Sequence, residues 1–280
     1  MQKLSAANKA AVKRFVKTGD YDPNDRNWPG ENFVEVVTNA DTALREALIA
    51  EVLERAPRHA QAPTPPIENL LDLTRSKVLP MVTGLFPPAE RPAIMKTLEA
   101  SVIFLTPENI ESTLRASTWL HTTWDLANMY LLQRGVEPLS PDAPSIVGLS
   151  QETTCYLSLD YLADRSKEPF SDYLVHEAAH VFHNYRRCMV GLPETRTRHS
   201  LLSIHYAKRE TFAYACETYS RILQTTDSTN GRSNALAQYS CGPLPSENEV
   251  DREEYLEILV EAIGARNGWK RILQACAPSA

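Results

Sequence analysis

The chain has 280 residues, of which 43% are hydrophobic, and a formal net charge of −6 at pH 7. This length and apolar content are sufficient for one large domain or two smaller domains with hydrophobic cores. The acidic balance argues against nucleic acid or an anionic membrane as the main partner, because binding phosphate groups requires a basic surface. No apolar segment of the sequence approaches the length required to span a membrane.

The N-terminal segment, residues 1–9, is polar and lacks the hydrophobic core of a signal peptide. We therefore expect the protein in the cytoplasm, either of the cell that makes it or of a cell into which it is delivered as an effector. The cysteines are widely separated and form no C-x-x-C pair, which favours reduced thiols over a disulfide framework or a zinc finger. They are Cys155, Cys188, Cys216, Cys241 and Cys276.

Residues 1–116 are predicted to form a helical N-terminal region. A turn-rich loop at 21–30 is followed by a helix from about residue 32 to residue 55, along which apolar side chains recur at helical spacing. Residues 56–66 contain four prolines and are predicted to form a linker. From residue 67 to residue 133 the pattern is helical again, with short segments expected between prolines. The prolines expected to break these helices are Pro80, Pro87, Pro88, Pro92 and Pro107.

A second domain, residues 117–280, is predicted to hold the functional site. It begins with a helix that ends near Gly135. Two β-rich runs, 146–149 and 153–159, then flank a polar turn at 150–152, and this pattern predicts a β-hairpin. Together with the helical segments on both sides, the hairpin indicates an α+β protein that is mainly α-helical.

The hairpin is followed by the motif His176-Glu177-Ala178-Ala179-His180, which falls in a predicted helix with Ser171 as its N-cap. Residues four apart lie on the same face of a helix, so both imidazoles can reach one metal ion, while Glu177 lies about 100° round the helix. Zinc accepts imidazole nitrogens and lowers the pKa of a bound water to about 7. The motif therefore predicts a zinc site in which Glu177 takes a proton from the water as general base.

Two histidines do not complete a zinc site, and the sequence restricts the third ligand. A metzincin would require Gly at position 183 and His at position 186, where this chain has His183 and Arg186. The sequence also lacks the second Glu-x-x-His of a di-iron carboxylate bundle. A downstream helix over residues 207–223 carries Glu210 and Glu217 as its only acids. A carboxylate buried against the histidines is costly unless a dication pairs it, so one of these acids is expected to face the metal.

The two motifs together carry a family resemblance. The H-E-A-A-H sequence is followed about thirty residues later by Glu210-Thr211-Phe212-Ala213-Tyr214-Ala215. This arrangement resembles the gluzincin metallopeptidases, and most closely their lethal-factor-type branch. The resemblance covers two short motifs within residues 145–225, and it implies a zincin-like fold with a small β-sheet and two metal-bearing helices.

The resemblance also implies a role for each motif residue. The zinc ligands would be His176, His180 and Glu210, and Glu177 would be the catalytic base. In gluzincins the sheet before the H-E-x-x-H helix binds the substrate backbone along its edge strand. The run 153–159 is the nearest candidate for that strand, because strand addition satisfies alternate N–H and C=O groups of an extended peptide.

This chain departs from the lethal-factor pattern beside the third ligand. That branch carries an acid four residues after the ligand glutamate, where it orients the site, and this chain has Tyr214 there. Glu217, one turn further on, can supply the hydrogen bond that a metal-bound imidazole requires, or it can pair with Arg221. His183 continues the histidine face of the first helix, and we expect it to support the site or to hydrogen-bond in the core.

A second departure concerns the group that stabilises the oxyanion. The lethal-factor branch has a tyrosine two turns before the ligand glutamate, and this chain has Ser203 there. His205 and Tyr206 are the nearest substitutes, and either can polarise the scissile carbonyl if the start of the helix bends toward the metal. The alternative role for each is a half-buried anchor.

These patterns predict a zinc-dependent endopeptidase that hydrolyses a protein or peptide by a metal-activated water, without a covalent intermediate. Two other classes stay open. A zinc-binding protein of zincin fold could recognise a partner through the same cleft with little or no catalysis, and a purely structural helical scaffold would bind no metal. A cysteine protease is disfavoured, because Cys216 falls in the apolar pattern of its helix without a His and Asn constellation.

Overall fold

The structure, a computed structural model, describes residues 4–22, 25–56, 69–164, 170–196 and 198–278. It is mainly helical with one small sheet, which confirms the predicted α+β class. The linker predicted at residues 56–66 lies outside the described residues except for Ala56. None of the described helices is both long and apolar enough to cross a membrane.

Helices form most of the described chain, and short strands separate some of them. In chain order the helices are α1 (Ala6–Thr18), α2 (Phe33–Arg55), α3 (Leu70–Leu85), α4 (Arg91–Ser101), α5 (Ile110–Ala116), α6 (Leu120–Gln133), α7 (Asp160–Asp164), α8 (Tyr173–Asn184), α9 (Arg209–Thr225), α10 (Thr229–Ser240), α11 (Arg252–Gly264) and α12 (Gly268–Cys276). The strands are β1 (Val102–Phe104), β2 (Gly148–Gln151) and β3 (Thr154–Leu157). Short 3-10 turns, Arg187–Val190 and Tyr206–Lys208, follow α8 and precede α9.

The chain divides into two compact units that alternate along the sequence. The first comprises Met1–Pro66, Phe104–Val147 and Ser158–Asp160, and the second comprises Ile67–Ile103, Gly148–Leu157 and Tyr161–Ala280. These boundaries differ from the division at residue 117 that the sequence suggested, and that division stays a prediction. All the residues expected to form the functional site belong to the second unit.

In the first unit, α2 packs against α5 and α6. The helix predicted from residue 32 to residue 55 is confirmed as α2. Its buried Arg45 donates hydrogen bonds to the carbonyl oxygens of Leu114 and Ser117 and to the hydroxyl of Thr123. The guanidinium thereby satisfies carbonyl groups at the end of α5 that have no partner within their own helix.

The prolines of the second unit correct the sequence prediction. Pro80 lies inside α3 and does not break it. It is exposed, so water can bond to the carbonyl that loses its helical donor. Pro92 starts α4 rather than interrupting a helix, because the first turn needs no N–H from this position. Pro87 and Pro88 separate α3 from α4, as predicted.

The predicted hairpin is confirmed, but its turn lies further along the chain. β2 and β3 pair antiparallel, and Ser150 and Gln151, expected in the turn, extend β2. The turn is formed by Glu152-Thr153, where Glu152 adopts a left-handed conformation with φ 53°.

The order of strands in the sheet is β1-β3-β2. The strand expected to lie at the edge and to bind substrate, β3, is therefore the central strand. β2 occupies the edge instead. Sequence patterns could not distinguish these arrangements, because both hairpin strands are rich in the same residue types and β1 joins the sheet from a distant segment.

The helices α8 and α9 pack against each other and set the spacing of the functional residues. Ala178 and Ala179 on α8, and Ala213 and Ala215 on α9, are fully buried. Small side chains at a helix interface allow the two backbones to approach closely. Polar side chains of the two helices are thereby brought within hydrogen-bond distance of each other.

The start of α8 differs by one residue from the prediction. The helix begins after Asp172, not after Ser171, and it ends at Asn184. Arg187 lies in the 3-10 turn that follows α8, where its guanidinium pairs with Glu90 at 2.6 Å. A buried arginine requires such a partner, so this tertiary ion pair stabilises the turn after α8.

Candidate metal centre

Two helices bring together three side chains that could hold a metal ion. His176 and His180 lie one turn apart on α8, and Glu210 lies in the first turn of α9. The Nε2 atoms of the two histidines are 3.2 Å apart. Glu210 Oε2 lies 3.7 Å from His176 Nε2 and 3.5 Å from His180 Nε2. One ligand atom of each residue thus lies within 4.8 Å of the others.

This donor set suits a divalent cation. Two imidazole lone pairs and a carboxylate oxygen that face one another repel unless a proton or a cation lies between them. Two imidazoles and one carboxylate are also a ligand set that catalytic zinc sites use, with the fourth position left for water. The Glu210 side chain is 45% exposed, so the α9 side of the centre is open to solvent.

Glu217, two turns after Glu210 on α9, orients the first histidine. Its Oε2 lies 3.1 Å from His176 Nδ1, and its Oε1 accepts the backbone N–H of Asp172 at 2.6 Å. Because a carboxylate only accepts, Nδ1 is the donor, and Nε2 of the neutral ring keeps its lone pair for an ion. The alternative pairing of Glu217 with Arg221 does not account for these two contacts.

A buried ionic chain continues from Glu217 toward α3. The carboxylate of Asp172 accepts hydrogen bonds from Tyr161 Oη at 2.5 Å and from Lys77 Nζ. Asp172 is fully buried and Lys77 is nearly so, and a buried charge is stable only when it is paired. Sequence reasoning missed both residues, because no local pattern connects positions that are 95 residues apart.

The charges of the metal-free centre depend strongly on one another. Burial lowers the pKa of His176, but the carboxylates of Glu210 and Glu217 outweigh it and raise this pKa to about 10. The two imidazoles in turn hold the pKa of Glu210 well below its usual range. A bound cation must displace the proton of His176, so metal binding is expected to release protons and to weaken as the pH falls.

Glu177 lies on α8 beside the two histidines and beneath β2. Burial raises the pKa of Glu177, and the imidazoles of His176 and His180 oppose this rise. A polar interaction with the side chain of Ser150 on β2 also lowers this pKa. A Cβ placed on Gly148 would lie 3.4 Å from Glu177 Oε1, so β2 passes directly over the carboxylate. The edge strand and the expected base are therefore in contact.

Tyr214 occupies the position where the resemblance places an acid. Its ring packs edge-on against the ring of His176, with centroids 4.5 Å apart, and its hydroxyl donates to Glu249 Oε2 at 3.0 Å. Burial and the adjacent Glu249 carboxylate raise the pKa of Tyr214 above its usual value. Tyr214 thus holds the histidine ring by contact, and Glu217 makes the hydrogen bond to it.

A polar cleft of about 560 Å³ opens beside the centre. Its lining includes His180, Glu210, Ser150 and Tyr206. Tyr206 is 81% exposed. The other predicted oxyanion candidate, His205, is exposed but is not among the described residues of the lining, and its backbone N–H bonds to the last residue of α12. Of the two candidates, the structure brings Tyr206 alone to the cleft.

His183 and Arg209 line the same cleft. The His183 ring lies 5.4 Å from that of His180, and burial together with the charges of His180 and Arg209 lowers the pKa of His183 to about 3. The buried Nδ1 of His183 has no hydrogen-bond partner in the part of the chain that the structure describes, and the role of His183 stays a prediction. Sequence reasoning did not identify Arg209, although a cation at the start of a helix is an unfavourable placement that could have drawn attention to it.

We expect Glu217→Gln to weaken zinc binding by about 10–100-fold, the usual effect of losing a partner of a ligand histidine. The amide has one acceptor oxygen where Asp172 N–H and His176 Nδ1 require two, so its NH₂ group must face one of these donors. Competition with a chromogenic chelator measures the affinity. Arg221→Gln is the matched control and should leave the affinity unchanged. Equal zinc affinity in Glu217→Gln and the wild type would contradict this role.

Comparison of the chain with protein-family models, with curated proteins and with solved structures gave no match. The likeness to gluzincins stays a resemblance of two short motifs. Interpretation of the centre therefore depends on its donor set and its geometry.

Proposed function

We propose that the chain is a zinc-dependent endopeptidase with a zincin-like second unit, which hydrolyses a protein or peptide by an activated water. The observation that carries this proposal is the convergence of His176, His180 and Glu210 beside Glu177. The three ligand candidates come from two packed helices, and the candidate base lies on the same helix as two of them. We further propose cytoplasmic action, which the free state of all five cysteines supports.

His176, His180 and Glu210 would hold the zinc ion. A zinc ion bound there would lower the pKa of a water molecule and polarise the scissile carbonyl. Glu217 and Tyr214 would keep the ring of His176 in place, by a hydrogen bond and by ring contact respectively.

Glu177 would act as the general base. Its burial raises its pKa, which brings the carboxylate closer to the pH at which it can both take and return a proton. It would take a proton from the attacking water and pass it to the leaving amine. The hydroxyl of Ser150, which lies near the carboxylate, would donate a hydrogen bond to it and hold it in one orientation during this transfer.

The substrate backbone would lie along the outer edge of β2. Ser158 N–H donates to Val147 O, and bonded and non-bonded pairs alternate along an antiparallel ladder. The backbone groups of Leu149 therefore face β3, whereas those of Gly148 and Ser150 point away from it. No strand of the described ranges covers that side. An extended peptide could pair with these outward groups directly above Glu177.

A comparison of Ser150→Pro with Ser150→Ala tests whether the outer edge of β2 binds the substrate. Both variants lose the hydroxyl, but only proline also removes the outward N–H donor. We expect proline to lower cleavage about tenfold relative to alanine, the usual effect of one lost hydrogen bond, with zinc content unchanged. The ratio of kcat/KM for one peptide gives the result, and the midpoint of urea unfolding shows whether both variants are folded. Equal cleavage by the two folded variants would exclude β2 as the binding edge.

The proposal is tested by comparing new protein N-termini in cells that express the wild type or Glu177→Gln. A peptidase should produce a set of N-termini that appears with the wild type alone. Purified protein should then cleave peptides that span these sites, and a zinc chelator should abolish the cleavage. Identical N-termini in both cultures would reject the proposed peptidase activity.

A second candidate function is partner recognition by a zinc-bound cleft with little or no catalysis. The exposure of Tyr206 favours it, because a side chain that is 81% exposed is not fixed as an oxyanion donor. Metal analysis distinguishes both candidates from a purely structural scaffold, which would bind no zinc. Cleavage of a defined peptide distinguishes the peptidase from the binding protein.

A further inference from the structure

Arg209 lies in the cleft beside the metal centre without a counter-charge among the described residues. It is the first residue of α9, and its guanidinium lies over the ring of Tyr206, with Cζ 5.1 Å from the ring centroid. Its Nε is buried and has no hydrogen-bond partner in the described ranges, where no carboxylate forms an ion pair with it either. An arginine stacked on an aromatic ring keeps the N–H groups of its edge available for another ligand.

The placement of Arg209 is electrostatically unfavourable in the folded protein. The start of a helix carries partial positive charge, so a cation there is repelled. The neighbouring Lys208 is compensated, because its Nζ pairs with Glu254 at 2.5 Å and bonds to the carbonyl of Ala275. Arg209 has no such ion pair within the described chain, so an anion from outside the chain would stabilise it more than it would stabilise Lys208.

None of the described carboxylates that line the cleft pairs with Arg209. Glu210 is committed to the metal centre, and Glu249 accepts the hydroxyl of Tyr214. Arg209 is the one lysine or arginine among the described residues that line the cleft. His183, more than nine-tenths buried in the same lining, has a second unpartnered nitrogen at Nδ1. Arg209 Nε and His183 Nδ1 thus belong to the lining of one cleft, and both lack a hydrogen-bond partner among the described residues.

We propose that Arg209 binds a carboxylate of the substrate, so that the cleft selects peptides with a carboxylate near the scissile bond. This inference rests on the proposed peptidase function and specifies its substrate class. A guanidinium matches a carboxylate in shape and can donate two parallel hydrogen bonds to it. The carboxylate can belong to an aspartate or glutamate side chain or to the C-terminus of the peptide.

Because Arg209 is next to the ligand Glu210 in the chain, the recognised carboxylate must lie near the scissile bond. Arg209 is adjacent to the ligand Glu210, so their Cα atoms are about 3.8 Å apart. An extended peptide advances about 3.3 Å per residue, and an arginine side chain reaches about two such steps. The recognised carboxylate is therefore expected within about three residues of the scissile bond.

The cleavage experiment uses the full-length zinc-loaded protein and a peptide library. Matched members carry Glu or Gln at each of three positions on either side of a randomised bond, with a free or an amidated C-terminus. Mass spectrometry gives the relative kcat/KM of each matched pair. We expect the wild type to prefer the carboxylate member about tenfold at one position, and Arg209→Gln to abolish this preference.

Two variants serve as controls. Arg209→Lys keeps the charge but loses the paired donors, and it should retain part of the preference. Lys208→Gln removes the adjacent cation that is already paired, and it should retain all of it. A preference that follows the free C-terminus assigns the carboxylate to the peptide end, and one that persists in amidated peptides assigns it to a side chain.

A binding experiment separates this inference from the proposed function. The Glu177→Gln protein with zinc is mixed with the same library, and retained peptides are identified by mass spectrometry. Carboxylate members should be enriched about tenfold, and Arg209→Gln in the same background should remove the enrichment. Enrichment without cleavage by the wild type would reject the peptidase and support the carboxylate site. Cleavage without any carboxylate preference would overturn the inference and leave the peptidase standing. A preference that Arg209→Gln leaves unchanged would also overturn it.

Discussion

Replacing His176, His180 or Glu210 by alanine is expected to remove most of the zinc from a protein that otherwise carries about one ion per chain. The three ligand atoms lie within 4.8 Å of one another, so each contributes to the same centre. Each substitution leaves two protein ligands. The zinc affinity should therefore fall by more than the roughly 10–100-fold that is typical when a hydrogen-bond partner of a ligand histidine is lost. Elemental analysis after gel filtration measures the zinc content.

Glu249→Ala is the matched control for this series. Glu249 is a carboxylate in the lining of the same cleft, but it bonds to Tyr214 and not to a ligand atom. This variant should keep its zinc. Full zinc retention by Glu210→Ala would contradict the ligand assignment, and Glu217, which contacts His176 from the same helix, would then be the candidate to test.

Glu177→Gln is expected to lower kcat/KM by about 10²–10⁴-fold, the usual contribution of a general base, while zinc content stays unchanged. The amide has the size of the acid, so it fits beneath Gly148 without displacing β2. Kinetics on a peptide identified from the new N-termini gives the activity, and elemental analysis gives the zinc content. Equal activity in the two proteins would mean that Glu177 is not the base.

Glu177→Gln should also change the stability of the protein, by an amount that depends on pH. Burial raises the pKa of Glu177 above its ordinary value of 4.5, so the unfolded chain releases this proton at lower pH than the folded chain does. The wild type therefore loses stability as the pH rises from about 4.5 through the raised pKa, and Glu177→Gln does not. In the metal-free protein, the Tm of the variant minus that of the wild type should therefore increase over this pH range. A constant difference in Tm would contradict the raised pKa.

Local patterns predicted those features that depend on neighbours in the chain. Helical spacing of apolar residues predicted α2, and it predicted that His176 and His180 lie on one face of α8. The β-rich runs predicted the hairpin of β2 and β3. These features follow from backbone periodicity, which repeats within a few residues. The resemblance to gluzincins then singled out Glu210, and the structure brings its carboxylate to the two histidines.

Other features were decided by packing between distant segments. The joining of β1 to β3 made β2 the edge strand, and the exposure of Pro80 allowed α3 to continue through it. Lys77 and Asp172 form a buried pair because α3 packs against α8. Arg209 lies in the cleft at the start of α9, and no described residue forms an ion pair with it. The sequence by itself thus determined which residues could bind a metal. The tertiary structure decided which groups support them and which side of the sheet is open, because burial and charge pairing depend on contacts that sequence periodicity does not contain.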